Sequence, residues 1–241
     1  MTARARVSGE LPGYNNMDNK EKPGLLSQMS SVVSHEIRNP LAIISNSIYF
    51  IKSKLGAGGA VIDPKVAKHI GIIEGEVKHS NDVMEEMLAF SRNKEMRCAP
   101  AAVNSVINDT AGSYKFPPNI TFKAVTDPAD PCVNADMEAV CYALRGALDN
   151  AVQAMPEGGT LTLEASHDEK QAHLSVTDSG PGLPGGDGEK VFEPFFTTKP
   201  RGIGLGLTIA RKFLEQLGGT ARAENVPAGG ARVTLSLPLS K

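Results

Sequence analysis

Ser34-His35-Glu36-Ile37-Arg38-Asn39-Pro40-Leu41 lies in a helical pattern that starts at Leu25 and puts an imidazole, a carboxylate and a carboxamide on it. At about 100° per residue, His35 and Asn39 lie about 40° apart around a helix, one turn above each other, with Glu36 flanking them. The three can address one reacting atom. Val33 and Ile37 each stand two residues away, roughly 160° round the axis, so His35 is expected to point away from the packed seam. That seam is explicit. Ile37, Ile44 and Ile51 recur every seven residues, and Leu41, Ile48 and Leu55 do the same on the adjoining row. The step from Val33 to Ile37 shifts the phase of the stripe, and Pro40 removes an N–H, which together predict a bend beside His35.

Gly56 to Gly59 ends this helix, and Asp63-Pro64 supplies an N-cap and a first-turn proline for a second one. Its seam is Val66, Ile70, Ile73, Val77, Met84 and Met87. Two amphipathic helices joined by a short loop need a further apolar layer, and pairing with a second copy into a four-helix bundle is the simplest one. A homodimer is therefore expected. Upstream, residues 1–24 are polar and broken by Gly9, Pro12, Gly13, Pro23 and Gly24, which reads as a flexible leader.

After Arg97 the pattern changes, with Pro100 marking a linker, and a second domain runs over residues 98–241. It reads as a helix from Ala101 to about Tyr114 and strands near Ile120–Val125 and Cys132–Asn134. A helix behind Asp136 from about Met137 to Met155 comes next, then strands at Thr160–Ala165 and Ala172–Thr177. A glycine-rich loop, a helix near Leu205–Leu217 and strands near Thr220–Ala223 and Ala231–Leu237 complete it. This order predicts an α/β sandwich with helices on one sheet face. The whole chain is thus α+β: a helical hairpin over 25–97 followed by the sandwich.

Composition narrows the function. The net charge of −2 is spread over both signs and only 5% of residues are aromatic, so nucleic-acid binding has no support. Cys98, Cys132 and Cys141 are too few and too irregular for a disulfide framework or a zinc site, and read as small buried hydrophobes in a reducing compartment. No apolar run is long enough to span a bilayer, and Arg4 and Arg6 are not followed by the apolar stretch of a signal peptide, so a cytoplasmic location is expected.

Four clusters in the second domain carry chemistry. Asn150, beside Asp149 on or near an apolar helix face, is either a local hydrogen-bonding residue or an oxygen ligand for a hard cation. Asp178-Ser179-Gly180-Pro181-Gly182 directly follows a strand; its carboxylate can accept from an exocyclic amine while the glycines admit close backbone approach. Phe192-Glu193-Pro194-Phe195-Phe196-Thr197-Thr198-Lys199 puts exposed phenylalanines and a cation in a loop, as a lid would. Gly202-Ile203-Gly204-Leu205-Gly206-Leu207 opens a helix whose free N–H groups can hold phosphate. Its spacing is not that of a P-loop, nor does it lie in the βαβ unit of a dinucleotide fingerprint.

The order of these five motifs resembles the sensor histidine kinases of two-component systems over residues 25–240. The resemblance implies a dimeric phosphotransfer domain and an ATP-binding domain of the gyrase B type. It implies His35 as phosphoacceptor, Glu36 as its general base and Asn39 as the residue that positions phosphate or water. It makes Asn150 the magnesium ligand, Asp178 the adenine reader, and Gly180, Gly182, Lys199, Gly202, Gly204, Leu205 and Gly206 the nucleotide and lid contacts. The implied cofactors are ATP and Mg2+, and the implied partner is the receiver domain of a response regulator. The signal would arrive from a separate sensory protein or from the rest of a longer sensor. One departure stands out: where the family often has a second asparagine, one turn before Asn150, this chain has Gly146. A nucleotide-binding scaffold without phosphotransfer is the alternative that Gly146 supports, and a chaperone or mismatch-repair type ATPase would leave His35 without a role.

Overall fold

The computed structural model describes residues 37–38, 41–53, 55, 63–91, 95–199 and 202–240. The predicted leader, the Gly56–Gly59 break, the bend at Pro40, and His35, Glu36 and Asn39 lie outside the described residues. The chain divides into two compact units, Met1–Asn93 and Lys94–Lys241.

In the first unit α1 (residues 41–53) and α2 (Pro64–Ser91) carry the predicted stripes. Asp63 starts α2 as its sequence implies, its Oδ1 accepting from Lys65 N–H at 2.7 Å and its carbonyl from Ala67 N–H at 3.0 Å. The two heptad rows of the first helix separate. Ile48 is buried and Leu41 and Leu55 are half-buried, whereas Ile37, Ile44 and Ile51 remain 42%, 42% and 48% exposed. On α2 the buried row is Ile70, Val77, Met84 and Leu88, while Val66 and Ile73 stay exposed. A Lys52–Glu74 ion pair at 3.0 Å links the two helices. Within one chain, then, each helix buries one row and leaves a second apolar row open. Among the described residues no helix is long and apolar enough to cross a membrane.

The second unit is the α/β sandwich. Strands β2 (Ile120–Val125), β4 (Gly159–His167), β5 (Gln171–Asp178), β6 (Thr220–Asn225) and β7 (Ala231–Pro238) form one sheet in the order β2-β4-β5-β7-β6. It is antiparallel except for the β2–β4 pair. Alternate residues Leu161, Leu163, Leu174, Val176, Val233 and Leu235 are buried in one core with Val106 and Ile107 of α3 (Val103–Ser113), Leu144 and Leu148 of α4 (Met137–Ala154), and Leu214 of α5 (Gly206–Gln216). The opposite face is polar: Ser175 and Thr234 pair at 3.1 Å, and Arg232 Nε donates to Thr177 at 3.0 Å.

Three expectations need correction. Ala101 and Ala102 do not begin a helix; Ala99–Ala102 is a strand, β1, antiparallel to β3 (Cys132–Ala135). Pro100 is tolerated there because a two-stranded sheet leaves a free edge, and α3 starts only where Val103 N–H reaches the Pro131 carbonyl at 2.9 Å. Cys98 and Cys132 are exposed, not buried. Phe192 is not part of an exposed aromatic loop: it is 3% exposed, within the core, under the Arg211 guanidinium 3.9 Å from its ring centroid.

Candidate nucleotide-binding site

Helix α4 organises the site. Asp136 caps it, accepting from Ala139 N–H at 3.1 Å, and its apolar face, from Ala139 through Leu144 and Leu148 to Ala151, locks it to the sheet. At steps of four along the adjoining edge, Gly146, Asn150 and Ala154 each meet a different loop. A Cβ at Gly146 would sit 3.7 Å from the carbonyl of Gly206, the first residue of α5. The Asn150 carboxamide oxygen accepts a hydrogen bond from Lys199 Nζ. Beside Ala154, a Cβ at Gly180 would lie 3.3 Å from the Ala154 carbonyl and 3.2 Å from Met155 Cγ. Three of the four predicted clusters are therefore brought to one helix edge by the fold, and the fourth, Asn150, is on that edge.

Asp178 ends β5 and is buried. Its Oδ1 accepts from Gly180 N–H at 2.8 Å and Ala231 N–H at 3.2 Å, while Oδ2 accepts no hydrogen bond from the described residues. One oxygen is fixed by backbone and the other is available. The loop beyond is pinned from across the sheet, because Asn225 Oδ1 accepts from Leu183 N–H at 2.6 Å and lies beside Gly182. Asn225, on β6, is not among the residues the sequence points to, and nothing local to it signals the role.

The segment expected to act as a lid is anchored at its root. Arg211 joins Glu189 at 2.8 Å and the Ala221 carbonyl at 3.2 Å while covering Phe192, and Thr208 Oγ1 donates to the Phe192 carbonyl at 3.0 Å. Phe196 is half-buried, and Phe195 is exposed with φ +66°. Phe195 N–H donates to the Gly204 carbonyl at 3.0 Å, and a Cβ at Gly204 (φ +74°) would fall 2.4 Å from the Phe196 carbonyl, so only glycine fits this crossing. Gly202 N–H donates to the Lys199 carbonyl at 3.3 Å. Leu205 is 1% exposed, so its backbone alone can face a ligand. It precedes α5 without a side-chain cap, leaving that helix's first N–H groups for an anion.

Tyr114 is a further residue that the sequence does not point to. Its Oη donates to Asp149 at 2.6 Å, and burial, then the hydrogen bond to Asp149 and its charge, push the phenol above its usual pKa. Asp149 is thereby turned to α3 and leaves Asn150 alone toward the lid. Among the described residues no three His, Cys, Asp or Glu side chains converge as a metal site. The chemistry at Asn150 nevertheless fits a cation, since a hard carbonyl oxygen already accepts an ammonium there.

A sheet-and-helix sandwich with a buried carboxylate at a strand end, a carboxamide on the central helix and a glycine-rich helix start defines an ATPase-type nucleotide-binding domain. Residues 135–241 match the family described as histidine kinase-, DNA gyrase B- and HSP90-like ATPase, and residues 25–95 match the His Kinase A (phospho-acceptor) domain. The chain belongs to the two-component sensor histidine kinases, of which it carries the catalytic core. It is 30% identical over 229 residues to the sensor histidine kinase ZraS of Escherichia coli O157:H7, covering 94% of this chain and 49% of ZraS. Against the catalytic domain of histidine kinase ThkA it is 33% identical with a TM-score of 0.54, over 59% of this chain and 96% of that one. The structure of ThkA in complex with response regulator protein TrrA aligns with a TM-score of 0.65 at 30% identity, over 92% of this chain and 64% of that one. The chain spans about half the length of curated relatives such as ZraS.

Proposed function

We propose that this chain is an ATP-dependent protein-histidine kinase that phosphorylates His35 and passes the phosphoryl group to an aspartate of a response regulator, in the cytoplasm. The observation that carries the nucleotide half is Asp178: a buried carboxylate held at Oδ1 by two backbone N–H groups, with Oδ2 left to accept from the exocyclic amine of adenine. Gly180 and Gly182 let backbone approach the base, and Gly202, Gly204, Leu205 and Gly206 offer N–H groups to the phosphates. Asn150 would hold magnesium, which when bound spreads the charge of the transferring phosphates.

Phosphoryl transfer asks the protein for positioning and charge neutralisation. His35 attacks the γ-phosphorus as a neutral imidazole through one ring nitrogen, the N–P bond forming as the bond to the bridging β-phosphate oxygen breaks and ADP leaves; Glu36 takes the proton at the other nitrogen and balances the positive charge that develops. Asn39 positions the phosphoryl group and, in hydrolysis of the regulator's aspartyl phosphate, the attacking water. The open rows Ile37/Ile44/Ile51 and Val66/Ile73 support a homodimer that closes a four-helix bundle. The domain limits that suit this reading are 25–97 for phosphotransfer and 98–241 for ATP binding.

In a labelled-ATP assay, His35→Gln is expected to retain ATP affinity and lose base-stable, acid-labile phosphate. Phosphate of that kind on the variant would overturn the assignment of His35. Nucleotide binding without any such phosphate on the wild type would favour the scaffold.

A further inference from the structure

We propose that Lys199 is an internal counter-cation that competes with magnesium for the Asn150 carboxamide oxygen, so that the nucleotide-free chain carries its own positive charge at the metal ligand. This rests on the ATP-site reading above and adds to it a direct antagonism between one side chain and the metal.

The juxtaposition is specific. Lys199 Nζ donates to Asn150 Oδ1, the one oxygen that the Asn150 side chain can offer a metal. A carboxamide oxygen has two lone pairs, so a metal and an ammonium that shared it would stand side by side as two cations on one ligand atom. The like charges also repel across a separation too short for solvent screening. Occupancy by one cation therefore weakens the hold on the other. Gly146 provides no side chain one turn earlier, and the adjacent Asp149 carboxylate is engaged by Tyr114 at 2.6 Å.

The backbone contacts of Lys199 permit an exchange of partners. Lys199 N–H donates to Thr197 Oγ1 at 3.1 Å, the Lys199 carbonyl accepts from Gly202 N–H, and the Gly202 backbone packs so closely that a Cβ there would lie 3.1 Å from Lys199 Cβ. The backbone root is fixed while four methylenes remain to swing the ammonium. When the nucleotide arrives with metal, the ammonium gives up Asn150 to it and moves onto phosphate. When the nucleotide arrives alone, the ammonium supplies the positive charge in the metal's place. Lys199 is thus a positioning residue for the metal as well as a phosphate contact, and its two roles have opposite signs in the presence of Mg2+.

The test is a double cycle on the full chain with His35→Gln as background, so that turnover does not interfere. ATP affinity is measured by calorimetry with Mg2+ and with EDTA for Lys199, Lys199→Met, Lys199→Gln and Lys199→Arg. The Met and Gln variants should lose about tenfold or more in EDTA, the scale of a hydrogen bond to a charged group. With Mg2+ the same variants should lose less than about threefold, because release of Asn150 offsets the lost phosphate contact. Lys199→Arg should keep most of the affinity in EDTA. Equal losses with and without Mg2+, or a larger loss with it, would overturn the proposal alone. A wild-type chain that binds ATP in neither condition would overturn the ATP-site reading together with it.

Discussion

Two adjacent glycines in the β6–β7 turn separate backbone strain from collision. Gly229 has φ +95° and open space within 4 Å of where a Cβ would stand, whereas Gly230 has φ +92° and a Cβ there would lie 1.9 Å from the Asp178 carbonyl oxygen and 3.0 Å from Ser179 Cα. Alanine at either position meets left-handed strain of about 1–3 kcal/mol, reduced by about 0.4–1 kcal/mol because the unfolded chain also loses freedom. At Gly230 the strain is joined by a contact well over an ångström too short against backbone, which must yield at the end of β5. The nearest interaction to break is Ala231 N–H to Asp178 Oδ1, 3.2 Å, whose loss leaves buried groups unpaired at a cost of about 1–3 kcal/mol. Gly229→Ala should therefore cost about 1–2 kcal/mol and Gly230→Ala about 3–5 kcal/mol. For a unit of this size the difference is roughly 5–10 °C in Tm, readable by scanning calorimetry of the full chain. Because the displaced group is Asp178, folded Gly230→Ala should also bind ATP at least about tenfold more weakly, while Gly229→Ala should not. Equal melting temperatures for the two variants, or wild-type ATP affinity in Gly230→Ala, would refute the reasoning.

Acid stability offers a second measurement. Asp168, at the β4–β5 turn, is held down to about 2 by N–H groups of Lys170 and Gln171 and then by His173, against an ordinary value of 3.8. A depressed carboxylate stabilises the fold above its unfolded value and loses that contribution as pH falls through its folded one. Asp168→Asn should thus lower the melting temperature at pH 7 and flatten its decline between pH 4 and 2; parallel curves for variant and wild type would contradict this. Asp127, lowered first by its hydrogen bond to His167 and then by Ala129 N–H, should behave in the same sense. For the helical hairpin, Ile44→Asp with Ile51→Asp should turn a dimer into a monomer in light scattering at micromolar concentration, since both side chains are open in one chain. A dimeric mass for the double variant would remove this row from the interface.

What is legible in the sequence is periodic or local. Asp136 three residues before Ala139, and an apolar face at helical spacing, are enough to place α4, because cap and stripe act within a few residues. The heptad rows of the first helix are equally clear, but which row turns inward depends on α2, and only the structure separates Ile48 from Ile44. β1 escapes a sequence reading because Ala99-Pro100-Ala101-Ala102 has no β-branched residue or alternation, and its existence depends on pairing with β3, a strand distant in sequence. Phe192 reads with its neighbours as exposed because a run of aromatics carries no mark of which one reaches the core; Arg211, on another element, decides that.

The same division explains the site. Each motif can be recognised from its own few residues, yet their mutual chemistry depends on the four-residue repeat of Gly146, Asn150 and Ala154 along α4, which presents one loop per turn. For Gly146, which in the sequence reads as a missing ligand, the Cβ position lies 3.7 Å from the Gly206 carbonyl, an ordinary van der Waals contact, so a methyl group fits there without moving the start of α5. Lys199 reaches Asn150 from a loop on the same edge, so α4 sets the carboxamide and a segment distant in sequence sets the cation it holds.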